Sequence, residues 1–102
     1  MEFRGVEIRD KGVYFVRLNG GGCAIYQQHG STLDVLTDYY YRIYLKSWRN
    51  NPAYTLSCDR NITYSREVIK EFRFANENEI ELLRSFVKRE GAIYDVQWFG
   101  IG

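Results

Sequence analysis

The sequence predicts an α+β domain: a curved, mostly antiparallel sheet of five to seven strands, or an SH3-like partial barrel, with one C-terminal helix. Three observations predict it. Aromatic residues reach 17%, with nine Tyr, six Phe and two Trp, and rings and β-branched side chains suit a pleated surface better than a helix. Short apolar runs up to residue 75 are separated by polar or glycine-rich clusters, the spacing of hairpins. One segment, Glu77 to Glu90, combines a 3.6-residue period with both end signals of a helix.

Phe3 to Ile8 and Gly12 to Leu18 read as the first two strands, with Arg9-Asp10-Lys11-Gly12 as the turn between them. In the second, Tyr14, Val16 and Leu18 form a more apolar face than Val13, Phe15 and Arg17, so the former is the predicted core face. Asn19-Gly20-Gly21-Gly22 then returns the chain into Cys23–Gln28. That glycine run lacks the Lys-Ser or Lys-Thr ending and the following helix of a phosphate loop, so it reads as a hairpin turn.

Residues 31–51 carry two patterns. As a helix, Ser31 caps, Leu33, Leu36, Tyr40, Ile43 and Tyr44 form a stripe, and Pro52 follows the end. As a strand, Tyr39, Tyr41, Ile43 and Leu45 share one face and Tyr40, Arg42, Tyr44, Lys46 and Trp48 the other. Three successive Tyr favour the strand, and Arg49-Asn50-Asn51-Pro52 then serves as a loop into Ala53–Cys58. After the polar turn Asp59-Arg60-Asn61, Ile62 to Phe74 reads as a short strand and then a longer one, with Val68, Lys70, Phe72 and Phe74 as its buried face.

The helix is the best-marked element. Asn76 can cap it with Glu79 three residues on, and Glu77, Glu79 and Glu81 suit the positive end of its dipole. Ile80, Leu83, Phe86 and Val87 form its apolar face, and Lys88, Arg89 and a left-handed Gly91 mark its end. Residues 92–99 then alternate with Tyr94, Val96 and Trp98 on one side, as a final strand. Residues 1–102 therefore form one domain: 1–75 mainly strands, 76–91 helix, 92–99 last strand.

Hydrophobic residues at 45%, charged residues at 26% and a single Pro are a globular balance. A net charge of +1 argues against a duplex-DNA binder held by charge. Ten of the fourteen basic residues are Arg, a bias toward bidentate or stacked contacts. Two cysteines and no apolar leader or membrane span point to a reduced, cytoplasmic protein without a membrane partner.

Catalytic chemistry is thinly provided. One His, two Cys and none of the common hydrolase or metal motifs predict no catalytic residues, no metal site and no cofactor. Cys23 and His29, with Cys58, could in principle supply a thiolate and base or three ligands, but a packed Cys and a loop His are the plainer reading. The strand face Tyr40, Arg42, Tyr44, Lys46, Trp48 is the candidate ligand-binding set. Its rings can stack on bases and its cations can meet phosphates. The same side chains can instead pack a second core or a homodimer contact.

The run Phe72-Arg73-Phe74-Ala75-Asn76-Glu77-Asn78-Glu79, with Leu82-Leu83, Glu90-Gly91 and Tyr94-Asp95, resembles the strand–helix ending of small accessory proteins of bacteriophages and mobile elements. Asn76 stands where that pattern has Thr, and no Lys-rich end follows. The resemblance implies only the neighbourhood of such accessory proteins, some of which counter host defences; with the thin catalytic inventory and near-neutral charge, the expected function is a non-enzymatic binding protein that occupies a host protein or ligand. The expected partner is a host protein or a small phosphate-bearing ligand, with nucleotide or single-stranded nucleic-acid binding through the aromatic and basic face as the alternative.

Overall fold

In the computed structural model, residues 2–30, 39–45, 54–57, 66–94, 97, 98 and 100 are described, and for Tyr39, Leu45, 54–57, Arg66, 93 and 94 the backbone alone. The chain folds in the order β1 (Glu2–Phe3), β2 (Val6–Glu7), β3 (Val13–Leu18), β4 (Cys23–Gln28), β5 (Tyr39–Leu45), β6 (Tyr54–Ser57), a 3-10 turn (Arg66–Val68), β7 (Ile69–Phe74), α1 (Glu77–Glu90) and a second 3-10 turn (Gly91–Tyr94). Strands β6-β5-β4-β3-β7 form one antiparallel sheet, and β1 and β2 form a separate hairpin. The sheet is curved but does not close into a barrel. Register shifts at Arg17/Leu18 and Gln27/Gln28 contribute the bending.

The first predicted strand is two. Arg4 and Gly5 take φ of 51° and 80°, so a two-residue turn folds Phe3 back onto Val6. Between β3 and β4 the Gly21 N–H reaches the Leu18 carbonyl at 3.1 Å and the Leu18 N–H reaches Gly22 at 2.8 Å, with Gly21 at φ 91°. This is a three-residue hairpin loop whose third residue is left-handed. Residues 39–45 are extended, as propensity favoured, while 31–38 and 46–53 lie outside the described residues.

Both faces of the sheet are buried. Under α1 lie Val13, Ile25, Tyr41 and Ile43, met by Leu83 and Val87 of the helix. On the opposite face Tyr14, Val16, Leu18, Tyr26, Ile69 and Phe72 pack with Ile8, and Phe3 and Val6 of the small hairpin close over them. The face expected for β7 needs correction. Phe72 is buried, yet Lys70 is exposed and Phe74 is 50% exposed, while Ile69 joins the core. Leu18 pairs with Ile69 and Arg17 with Glu71, so Lys70 is an extra residue in the ladder and the alternation flips across it.

Helix α1 starts as its sequence dictates. The Asn76 side chain accepts from the Glu79 N–H at 2.9 Å, and the Glu79 carboxylate accepts from the Asn76 N–H at 2.9 Å. Arg73, at the end of β7, grips the same Glu79 through both guanidinium nitrogens at 2.6 and 3.0 Å, locking strand to helix. The other end differs from expectation. Gly91 is right-handed (φ −59°) with its N–H bonded to the Val87 carbonyl, and the chain tightens into 3-10 geometry through Tyr94. The predicted last strand is therefore absent from residues 92–94, and 97 and 98 belong to no strand either. That segment is held by side chains: the Tyr41 hydroxyl donates to the Gln97 carbonyl, the Gln27 amide donates to the Gly100 carbonyl at 2.5 Å, and Trp98 packs against the helix-side core.

Candidate ligand-facing site

Cross-strand pairing places the predicted site residues in definite rows. On the face away from α1, Phe74, Tyr14, Tyr26 and Arg42 lie side by side across β7, β3, β4 and β5, and Phe72, Val16, Ala24 and Tyr44 form the next row. Arg42 and Tyr44 thus share a face as predicted, with the guanidinium carbon 5.5 Å from the Tyr44 ring centroid. Arg42 nevertheless is only 3% exposed. It ends an aromatic row inside the second core and presents no open cation to a phosphate.

Tyr40 is set apart from them. Gln27 pairs with Tyr41 and Gln28 with Tyr39, so Tyr40 is the extra residue of a bulge. It packs with the helix-side cluster and meets His29 edge-on at 4.6 Å. A one-residue offset in the ladder moves a side chain off its expected face, and no periodicity count can register it. Lys46 and Trp48 lie outside the described residues.

Tyr44 is half-buried and borders a surface cavity of about 270 Å³ lined also by Leu18, Gly20, Gly22 and Val68. Gly22 is there because of Tyr44: a Cβ at position 22 would stand 2.5 Å from the Tyr44 Oη. Of these residues the sequence reading gave a ligand-facing role to Tyr44 alone, placing Leu18 and Val68 in the core and Gly20 and Gly22 in a hairpin turn. Their signal was a run of three glycines in a loop whose backbone requires a left-handed residue only at Gly21. A second cavity of about 400 Å³ lies along α1, between Glu77, Ile80, Glu81, Arg84 and Trp98.

Of the sulfur–imidazole set considered from the sequence, Cys23 and His29 do not come together, and Cys58 lies outside the described residues. Cys23 opens β4 and His29 follows its last residue, which separates them by roughly 20 Å along an extended strand. Burial pushes the Cys23 thiol above its ordinary value, with the Glu79 charge adding to the rise, so the thiol is held protonated. Among the described residues no group of three or more His, Cys, Asp or Glu could hold a metal ion. No helix among them is long and apolar enough to cross a membrane.

Phe74 is the other feature missed. Half its surface is exposed at the end of β7, an edge strand paired only with β3 among the described residues, and its ring stacks on Tyr14 at 5.3 Å. Comparison with protein-family models, curated proteins and solved structures finds no match to this chain.

Proposed function

We propose that this chain is a non-enzymatic binding protein of phage or mobile-element type, countering a host defence by stoichiometric occupation of a host protein. The observation that carries the reading is Phe74. A large apolar ring held half in solvent on a sheet edge is surface whose burial by a partner would be favourable. Its stacking on Tyr14 fixes the ring in place, so little side-chain freedom remains to be lost on binding. The bulge and charge at Lys70 blunt the other end of the edge, which favours a contact centred on Phe74 over addition of a full strand. The test is affinity capture from host lysate with the wild-type chain and with Phe74→Glu, after matching their thermal unfolding. One near-stoichiometric protein retained by the first and lost by the second is the expected result; no retained protein, or the same protein on both, removes the reading.

A second reading, nucleotide or single-stranded nucleic-acid binding, is favoured by the cavity at Tyr44. Burial of Arg42 and the offset of Tyr40 weaken its original five-residue form. Quenching of Trp48 fluorescence by mononucleotides tests it, and an unquenched signal at millimolar ligand ends it.

A further inference from the structure

We infer that two copies of this chain form a two-fold dimer by exchanging their β1–β2 hairpins, each hairpin seating on the ring face of the other copy. The inference goes beyond the host-protein reading and is independent of it, because Phe74 keeps its stack on Tyr14 in either form. The occupant of the ring face is defined by the closed chain. Phe3 meets Phe72 edge-on, Val6 packs against the same cluster, and the Glu7 carbonyl accepts from the Tyr14 hydroxyl at 2.8 Å. A second copy offers the same side chains and the same carbonyl, so exchange needs no new complementary surface.

Topology lets the hairpin move as a unit. Among the described residues neither of its strands pairs with the five-stranded sheet, so no ladder of backbone bonds is broken when it lifts. Its link to β3 is the turn Arg9-Asp10-Lys11-Gly12, closed by the Gly12 N–H on the Arg9 carbonyl at 3.0 Å. Lys11 sits in that turn at φ 63°, a left-handed backbone that a residue with a Cβ disfavours. A short hinge under strain favours exchange, because extending it releases the strain while the docked contacts re-form on the partner. Opening gives up the turn bond and the bond from the Gly30 N–H to the Asp10 carboxylate at 2.8 Å. The ring contacts and the Tyr14 hydrogen bonds are the same in both forms, so the balance between them lies in the hinge and in the entropy of association.

The test is to refold an equal mixture of isotope-labelled and unlabelled full-length chains from urea at millimolar concentration, which lets exchange reach equilibrium. Light scattering should give a dimer, and an isotope-filtered NOE should connect Phe3 of one copy to Phe72 of the other. Lys11→Gly relieves the hinge in the closed chain and should raise the dimer dissociation constant about tenfold or more, since two hinges are relieved per dimer. Tyr14→Phe loses the same hydrogen bonds in both forms and should leave that constant within about twofold of wild type. A chain that stays monomeric throughout overturns the exchange. So does a dimer without the Phe3–Phe72 NOE, or one that Tyr14→Phe weakens as much as Lys11→Gly.

Discussion

The two faces of the sheet reach the same burial by different means. Beneath α1 the fully buried residues are mostly aliphatic, Val13, Ile25, Ile43, Leu83 and Val87 with Tyr41 beside them, and the rings of Phe15, Tyr40, Phe86 and Trp98 pack only at their margin, partly buried. Beneath the β1–β2 hairpin stacked rings join the aliphatic Ile8, Val16, Leu18 and Ile69: Phe72 stacks on Tyr14 at 5.2 Å, Phe3 meets Phe72 edge-on at 5.2 Å, and Tyr26 lies 5.6 Å from Tyr14. A 14-residue helix covers the first face, and a hairpin with two strands of two residues each covers the second. So small a cover buries little area of its own and needs directional bonds to stay docked. The Tyr14 hydroxyl supplies them, donating to the Glu7 carbonyl and accepting from the Arg9 N–H, both at 2.8 Å. Gly12 keeps the way clear, since a Cβ there would come within 2.7 Å of that oxygen.

Area should therefore dominate one face and hydrogen bonding the other. Leu83→Ala, at a fully buried position under the helix, should cost about 2 to 5 kcal/mol, the loss of a large side chain plus the cavity left behind. A urea midpoint within error of wild type would place the main support elsewhere. Tyr14→Phe keeps the ring stack and deletes only the hydroxyl. It leaves the Glu7 carbonyl and the Arg9 N–H without that partner, which should cost about 1 to 3 kcal/mol. Faster amide exchange should be confined to β1, β2 and Arg9; uniform exchange across the sheet would show that the hairpin is not held separately.

The helix face was the legible one. Ile80, Leu83, Phe86 and Val87 repeat at helical spacing, and Asn76 and Glu79 announce the cap. The hairpin face was half legible: Tyr14, Val16 and Leu18 were read as core, whereas Arg4-Gly5 passed unnoticed as a turn within an apolar run. Bulges account for most of the remaining errors. Lys70 and Tyr40 are each one residue too many for their ladders, and Ile69 and Tyr40 consequently face where simple alternation does not put them. The tail misled because Tyr94, Val96 and Trp98 alternate like a strand. What fixes its described part is Tyr41, Gln27 and Trp98, contacts between residues distant in sequence that no local pattern encodes.

The cap tests how far local chemistry carries the helix face. Asn76→Ala removes the bond to the Glu79 N–H and should cost about 0.5 to 2 kcal/mol, well below Leu83→Ala. Thermal unfolding of the two variants ranks them directly. A cap variant as damaging as the core variant would mean that α1 is set by its first turn and not by its packing.

The smallest effect belongs to the joint between β7 and α1, and it is a pH effect. Burial of the Glu79 carboxyl pushes its pKa up, but the Arg73 hydrogen bonds, the Asn76 N–H and the Arg73 charge together carry it below the ordinary 4.5. A carboxyl that releases its proton more readily in the folded chain favours folding at pH above its unfolded value. That contribution fades as the pH falls through the lower folded value. Stability should thus decline on the acid side of the usual carboxylate range, and Glu79→Gln should flatten the decline without altering the neutral-to-basic limb. Glu7 is also lowered, through its hydrogen bond to Arg9, but that pair is solvent-exposed and screened by salt. Repeating the acid titration in high salt therefore separates them: the Glu79-dependent slope should survive, because its partners are geometrically fixed and its side chain is only 16% exposed. A slope that disappears with salt, or that Glu79→Gln leaves unchanged, would show that Arg73 and Glu79 join strand to helix by proximity alone.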